Sequence, residues 1–164
     1  MGELVGIVPR KLDVSTLLDV VRKYADIMMH TMERYFVLED TMEITDKIAQ
    51  DVMKNVMKYA KILKKGPENY EARAEIMWCG SLSHNGLTGC GTCGGDWATH
   101  LMEHELGGMF DVAHGAGLAA VWGSWARYVM DEKPERFAQF AVDVMGVEES
   151  DDVKSTALKG IEAV

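Results

Sequence analysis

Apolar residues recur at three- and four-residue intervals through most of this chain, and this spacing most constrains its fold. In the first such stretch, from Ser15 to about Leu38, the apolar positions are Leu17, Leu18, Val21, Tyr24, Ala25, Met28 and Met32. This is the period of one face of an α-helix. The same reasoning predicts further helices over 42–63, 70–83, the segment carrying His100 and His104, 114–130, 134–144, and a last one after Ser150.

Capping residues and turns support these boundaries. Asp13 or Ser15 can cap the first helix, Asp96 the fourth and Ser150 the last, because short polar side chains accept hydrogen bonds from free N–H groups. Only Leu4–Val8 resembles a strand. Helices joined by short turns predict an all-α, multi-helix bundle.

Length and charge limit the classes of partner. A chain of 164 residues can bury a substantial core as one domain. The formal net charge of −9 argues against a nucleic acid or an anionic membrane surface as partner. No run of eighteen apolar residues is present, and the first ten residues lack the pattern of a signal peptide. We therefore predict a protein without membrane or nucleic-acid partners. Three cysteines, an odd number without the pattern of a secreted scaffold, predict a reducing, cytoplasmic location.

Several short motifs resemble known sites without meeting their requirements. In His100-x-x-x-His104 a zincin would need Glu after the first histidine, where Leu101 stands, so a protease is rejected. The G-x-G-x-x-G match at 89–94 lies among predicted helices, whereas a dinucleotide fingerprint follows a strand. Cys90 and Cys93 could be half of a zinc knuckle or a redox pair, but only Cys79 remains as a further thiol, so we interpret the two as unpaired thiols in a Gly-rich loop. Clustered methionines in the first helix predict a soft core or interface.

Histidines and one aspartate form the strongest chemical signal. Three of the five histidines lie between His100 and His114, and His100 and His104 share a helical face. A Gly107-Gly108 break is expected before His114. Asp26 and His30 are also four residues apart on a predicted helix. One Asp with two or three His is a usual donor set for Fe²⁺ or Zn²⁺. Spacing alone leaves open both a metal site and a helical bundle without metal.

The order of these motifs resembles one family closely. Asp26-Ile-Met-Met-His30-Thr-Met-Glu33 is followed by Met77-Trp-Cys79, Asn85-Gly-Leu87, Asp96-Trp-Ala-Thr-His100-Leu-Met-Glu-His104-Glu-Leu106 and His114. From about Ala25 to Val164 the sequence is similar to the iron-containing alcohol dehydrogenases, in particular their NAD(P)H-dependent butanol dehydrogenase branch. The resemblance implies the helical, dehydroquinate synthase-like domain of that family.

The resemblance also implies site residues and roles. The metal ligands would be Asp26, His30, His100 and His114, holding Fe²⁺, with Zn²⁺ or Ni²⁺ also accepted by this donor set. His104 would be the unliganded catalytic histidine near substrate and nicotinamide, with His114 also beside the cofactor. The substrates would be small alcohols and aldehydes, and NAD(P) would bind only in a complete enzyme.

Two departures from the family shape the expected organisation. Residues 1–24 are unlike the family's lead-in, so we divide the chain into that segment and a helical metal-binding domain over 25–164. The family's nucleotide-binding domain has no counterpart here, so the chain is expected to be a fragment with negligible activity alone. The alternative is a non-catalytic metal-binding or assembly module. Apolar surface left uncovered predicts a homo-oligomer.

Overall fold

A computed structural model describes residues 15–39 and 42–164, with side chains from Tyr24 onward. Its helices are α1 Ser15–Tyr35, α2 Glu43–Lys65, α3 Tyr70–His84, α4 Ala98–Phe110, α5 His114–Val129, α6 Pro134–Asp143 and α7 Val153–Glu162. Short 3₁₀ turns cover Leu87–Gly89 and Met130–Glu132. The all-α prediction is confirmed for the described residues. Leu4–Val8 and Asp13 lie outside them.

The predicted boundaries were wrong at two places. The Gly107-Gly108 pair does not break the fourth helix, which continues to Phe110 and ends at Asp111 with a left-handed φ of 54°. Glycine costs a helix only about 1 kcal/mol, so it does not by itself end one. Ser150 is not the last N-cap: Asp152 accepts from the Lys154 N–H, since a cap must directly precede its helix. Asp96 stands one residue before the N-cap Trp97, and still accepts from the Ala98 N–H.

Helix α1 is the centre of the bundle. It contacts α2, α3 and α5, while α4 packs on α5 and α6 pairs with α7. The methionines of α1 belong to the core, as predicted: Met28, Met29 and Met32 are all buried. The two ends of α1 differ. Its C-terminal end leads into an aromatic core, and its middle turns carry the ionisable residues described below.

The aromatic core surrounds Phe36, directly after α1. Its ring stacks on Phe137 at 4.4 Å between centroids and meets Phe140 edge-on at 5.1 Å. Arg136 of α6 lies over the Tyr35 ring and pairs with Asp46 of α2 through two contacts of 2.5 and 2.6 Å. This packing ties α1, α2 and α6 together and fixes the register of α1.

Within the described residues, no helix combines the length and the apolar character needed to cross a bilayer.

Candidate metal centre

One face of α1 supplies three ionisable side chains to a single cluster. Asp26, His30 and Glu33 follow each other at intervals of four and three residues, which places them on one helical face. Glu33 is almost fully buried, with 2% of its surface exposed. Arg34 holds the neighbouring segment in place by donating to the carbonyls of His30 and Ser83. The α1 face is therefore fixed against the end of α3.

Three other helices complete the cluster. Helix α4 contributes His100, Glu103 and His104, α5 begins at His114, and α3 ends at His84. The separations of ring centroids are 4.0 Å for His30–His84, 4.4 Å for His30–His100, and 5.6 Å for both His100–His114 and His104–His114. All five histidines of the chain thus lie together, although they span 85 positions of sequence, from 30 to 114.

Asp26 Oδ1 lies at the centre of this arrangement. It is 3.0 Å from His30 Nδ1, 3.3 Å from His114 Nε2 and 3.6 Å from His100 Nε2. His100 Nε2 is also 3.3 Å from His30 Nδ1. Oδ1 is buried and, among the described residues, accepts no well-aligned hydrogen bond. A buried carboxylate oxygen without such a bond is costly unless a cation compensates it.

Two buried glutamates orient the imidazoles. Glu33 Oε1 lies 3.0 Å from His100 Nδ1 and also accepts from the His100 N–H and the Thr99 hydroxyl. Glu103 Oε2 contacts His114 Nδ1. A carboxylate only accepts hydrogen bonds, so each Nδ1 carries the proton, and in the neutral ring Nε2 presents a lone pair. A carboxylate behind a histidine is the usual support of a metal-binding imidazole.

The donor atoms fit a divalent cation. The lone pairs of His100 Nε2 and His114 Nε2 both face Asp26 Oδ1, so three acceptors converge at this point. His30 Nδ1 lies beside them and donates to the carbonyl oxygen of Asp26 at 3.0 Å. Donors about 2.0–2.2 Å from one ion lie roughly 3.3–3.6 Å from each other in a tetrahedron. The spacings from Asp26 Oδ1 to His114 Nε2, 3.3 Å, and to His100 Nε2, 3.6 Å, match that range, whereas His30 Nδ1 lies closer to Oδ1, at 3.0 Å. Asp26, His100 and His114 form one possible ligand group of the described residues, and Asp26, His30 and His84 form another.

Without a metal ion, the cluster favours ionised Asp26 and Glu33 beside a protonated His100. Burial opposes ionisation of Asp26 and Glu33, but the imidazoles beside them outweigh it and lower the pKa of both carboxyl groups. Burial also lowers the pKa of His100, but the carboxylates of Asp26 and Glu33 outweigh that effect and raise this pKa to about 9. A proton on His100 therefore occupies the role that a cation could take, and the two compete.

The cluster is closed at its base and open at its mouth. The side chain of His100 is 7% exposed, those of His30 and Asp26 are 19% and 24%, and that of His114 is 42%. His104 is exposed beside His114. Trp97 closes one side, with its ring 5.4 Å from His30 and 5.2 Å from His100. A small molecule could reach His114 and His104 from solvent.

The structure brings together all the residues singled out from the sequence: Asp26, His30, His100, His104 and His114. Three further members escaped sequence reasoning, namely Glu33, Glu103 and His84. Glu33 and Glu103 each follow a candidate ligand by three residues, a spacing that puts them on the ligand's face of the helix. This three-residue spacing is a sequence signal that points to both glutamates. His84 had none, because it lies alone at the end of a helix.

The motifs rejected as sites have ordinary structures. Gly89–Gly94 begins at the last residue of the Leu87–Gly89 3₁₀ turn, so α3 and that turn precede it instead of a strand. Gly91 and Gly94 have positive φ. All three cysteines are free, with Cys79 buried and Cys90 and Cys93 exposed. The interpretation of unpaired thiols is confirmed.

Comparison with known proteins gives a consistent family match. Residues 21–164 match the "Fe-containing alcohol dehydrogenase family, C-terminal". The chain is 37% identical over 138 residues to NADH-dependent butanol dehydrogenase A of Clostridium acetobutylicum, covering 84% of this chain and 35% of the relative. It is 32% identical over 133 residues to the NADPH-dependent aldehyde reductase YqhD of Escherichia coli, covering 81% and 34%. The chain thus spans about a third of the length of these relatives.

Solved structures agree with the sequence relatives. The crystal structure of NADH-dependent butanol dehydrogenase A from Thermotoga maritima superposes with a TM-score of 0.82 at 38% identity, covering 87% of this chain and 35% of that one. Escherichia coli YqhD gives a TM-score of 0.85 at 30% identity, covering 90% and 37%. The helical bundle is therefore shared with these proteins over most of its length.

Proposed function

The chain belongs to the Fe-containing alcohol dehydrogenase family, with residues 21–164 corresponding to its C-terminal part, and from that premise we propose that it is the metal-binding domain of an NAD(P)H-dependent alcohol dehydrogenase. The proposed substrates are small alcohols and aldehydes, since its relatives are named butanol dehydrogenases and an aldehyde reductase. NAD(P) is the proposed hydride carrier of the complete enzyme. A cytoplasmic location and a homo-oligomeric state complete the proposal.

One observation carries the metal-binding part of this proposal. Asp26 Oδ1 is buried without a well-aligned hydrogen bond, and Nε2 of His100 and of His114 face it at 3.6 and 3.3 Å. Glu33 and Glu103 fix the tautomer of those two rings from behind. A buried carboxylate on the Nδ1 of a histidine is the usual support of an imidazole that binds a metal through Nε2.

The proposed ligands are Asp26, His30, His100 and His114. Iron is the metal that the family name implies, and Zn²⁺ or Ni²⁺ suits the same donors. When bound, such an ion supplies Lewis acidity toward the oxygen of an alcohol or aldehyde. Asp26 contributes the negative charge that holds the cation, and Glu33 and Glu103 hold a proton on Nδ1 of each imidazole, so that Nε2 is aimed at the ion.

His104 is the proposed catalytic residue. Its ring stacks beside His114 at 5.6 Å and is exposed at the mouth of the cluster. From there the imidazole can take or give the alcohol proton as a general acid or base. His114 and His104 are also the proposed neighbours of the nicotinamide.

The proposed domain organisation remains residues 1–24 and 25–164. Its boundary falls inside α1, which begins at Ser15. Large apolar side chains on and just after α4 are exposed by 39–67%: Leu101, Met102, Met109, Phe110 and Val112. Such a patch is suited to contact with the rest of the enzyme or with a second copy.

Metal binding tests the proposal most directly. Metal-free chain is titrated anaerobically with Fe²⁺, and separately with Zn²⁺, while heat release and metal content are followed. We expect one tight equivalent, lost in Asp26→Asn and His100→Ala. Ser81→Ala is the matched control, because Ser81 is exposed on α3 and bonds only to its own helix at Met77 O. Equal binding by Asp26→Asn and the parent chain would reject the centre.

An activity assay on the chain alone shows whether it is one domain of an enzyme or a catalytically complete protein. We expect little oxidation of NADH or NADPH with butanal by the iron-loaded chain alone, because holding the nicotinamide against the substrate is worth roughly 7–11 kcal/mol of barrier. Residues 15–39 and 42–164 contain no strand on which a dinucleotide fold could be built. Saturable turnover that His114→Ala abolishes would contradict this expectation.

A further inference from the structure

His84 lies at the outer edge of the cluster. It is the last residue of α3, its side chain is 44% exposed, and its ring stacks on His30 with centroids 4.0 Å apart. Its Nε2 lies 3.4 Å from Asp26 Oδ2, the oxygen opposite the one that faces His100 and His114. Oδ1 of Asp26 therefore faces His30, His100 and His114, whereas Oδ2 faces His84 alone among the described imidazoles.

The orientation of the His84 ring is set by its own helix. His84 Nδ1 lies 2.8 Å from the Gly80 carbonyl oxygen, and a carbonyl only accepts, so Nδ1 is the donor. In the neutral ring Nε2 then presents a lone pair toward Asp26 Oδ2. The separation of 3.4 Å exceeds the usual 2.7–3.2 Å of an N–H···O hydrogen bond. Two acceptors facing each other at this distance suit a cation between them.

We propose that His84 Nε2 and Asp26 Oδ2, with His30 beside them, form a second, outer binding position for a divalent cation. Asp26 would serve both positions, with Oδ1 toward the inner one and Oδ2 toward the outer one; sites that hold two metal ions close together occur in several classes of enzyme. The N/O donor set suits Zn²⁺ and similar borderline cations. Because His84 and Asp26 are partly exposed, water completes the outer coordination, and the outer position is the weaker one.

The charge of the cluster accommodates a second cation. Asp26, Glu33 and Glu103 carry three carboxylates, a formal charge of −3, and one divalent ion cancels two of these charges. The chain as a whole is also negative, at −9. The outer position shares Asp26 with the proposed metal centre but extends beyond the proposed function, since alcohol oxidation at the inner position does not require it.

Stoichiometry tests the outer position. The metal-free chain is titrated with Zn²⁺ alone by calorimetry, and with Co²⁺ alone by visible absorption, in a Cys90→Ser/Cys93→Ser background because exposed thiols also bind these ions. We expect two equivalents, the second weaker. His84→Leu should weaken the second equivalent by roughly tenfold or more while leaving the first unchanged. Ser81→Ala, one turn earlier on α3, should bind like the parent. Circular dichroism checks that each variant is folded.

The outcomes are distinct. One equivalent in both the parent and His84→Leu overturns the outer position and leaves the proposed metal centre intact. Weakening of a sole equivalent by His84→Leu also overturns it, because His84 would then serve the inner ion. If the parent chain binds no cation at all, the proposed metal centre itself is rejected together with the outer position. Selective loss of the second equivalent supports the proposal.

Discussion

The histidine cluster around Asp26 lies in the middle of α1 and the aromatic core around Phe36 lies just beyond its C-terminal end, and the two regions differ in what completes them. In the core, the charged pair Arg136–Asp46 is matched within the protein, at 2.5 and 2.6 Å. In the cluster, Asp26 Oδ1 and Glu33 Oε2 are buried without hydrogen bonds. The core matches its charged groups through its own contacts and leaves only the neutral Trp122 Nε1 without a hydrogen bond among its described atoms, whereas the cluster leaves carboxylate oxygens that need a cation or a proton.

This difference predicts which forces stabilise each region. The core depends on burial and close packing, which single truncations remove and no ligand restores. The cluster depends on electrostatics that an ion or a proton can change. Substitutions in the first region should therefore lower stability without altering metal affinity, and substitutions in the second should lower metal affinity and with it the stability that bound metal adds.

The largest expected effect is the loss of Phe140. This side chain is fully buried and contacts the rings of Phe36, Tyr35 and Trp122. Phe140→Ala should lower the free energy of unfolding by about 3–5 kcal/mol. Urea denaturation measures the loss, with Tyr128→Ala, 88% exposed, as a control expected within about 0.5 kcal/mol of the parent. A changed Zn²⁺ affinity in the folded Phe140→Ala protein would break the contrast.

Metal itself should act on the cluster alone. A cation that binds only the folded chain stabilises it by about 2.7 kcal/mol at one hundred times its Kd. The melting temperature should rise on adding Zn²⁺ and fall again with a chelator. Asp26→Asn keeps the side-chain shape but should abolish the rise. An equal rise in Asp26→Asn would indicate an adventitious ion.

Gly117 on α5 links packing to the cluster. A Cβ there would lie 2.7 Å from Glu103 Cγ and 2.8 Å from Glu103 Oε1, so Gly117→Ala must displace the carboxylate that orients His114. We expect metal affinity to fall by roughly 10–100-fold, the usual effect of disturbing such a partner. Gly108→Ala on α4 is the control, because its Cβ would meet nothing within 4 Å. Unchanged calorimetric affinity in Gly117→Ala would show that Glu103 does not support His114.

The smallest expected effect is a difference in alkylation rate among the three cysteine thiols, which does not involve the stability of the fold at neutral pH. Burial, with a contribution from Glu75, raises the pKa of Cys79 to about 11. Below that pH the reactive thiolate is scarce, so alkylation of Cys79 in the folded chain should be slow at pH 8 and quicken as pH rises toward 11. Exposed Cys90 and Cys93 should react first. Mass spectrometry of the labelled chain identifies which cysteines have reacted at each time. Fast labelling of Cys79 at pH 8 would show that this part of the core opens.

Much of the fold follows from sequence because helical periodicity is local. Each apolar stripe reports its own helix, and the predicted ends lie within one to three residues of those observed for α1, α2 and α3. The Gly107-Gly108 pair was misread because the end of α4 depends on Asp111 and on packing against α5, neither of which glycine content reveals. Methionines of α1 were correctly predicted as core, since their spacing places them on one face.

The sequence by itself determined the helices and the chemical identity of the candidate ligands, since Asp26, His30, His100, His104 and His114 are marked by intervals within single helices. Only the tertiary structure decided that His84, from the end of another helix, joins them, and that Glu33 and Glu103 orient His100 and His114 from behind. The physical reason is the sequence separation over which each kind of contact is determined. A helix fixes which residues share its face within a few positions, but contacts between faces depend on how the whole bundle packs.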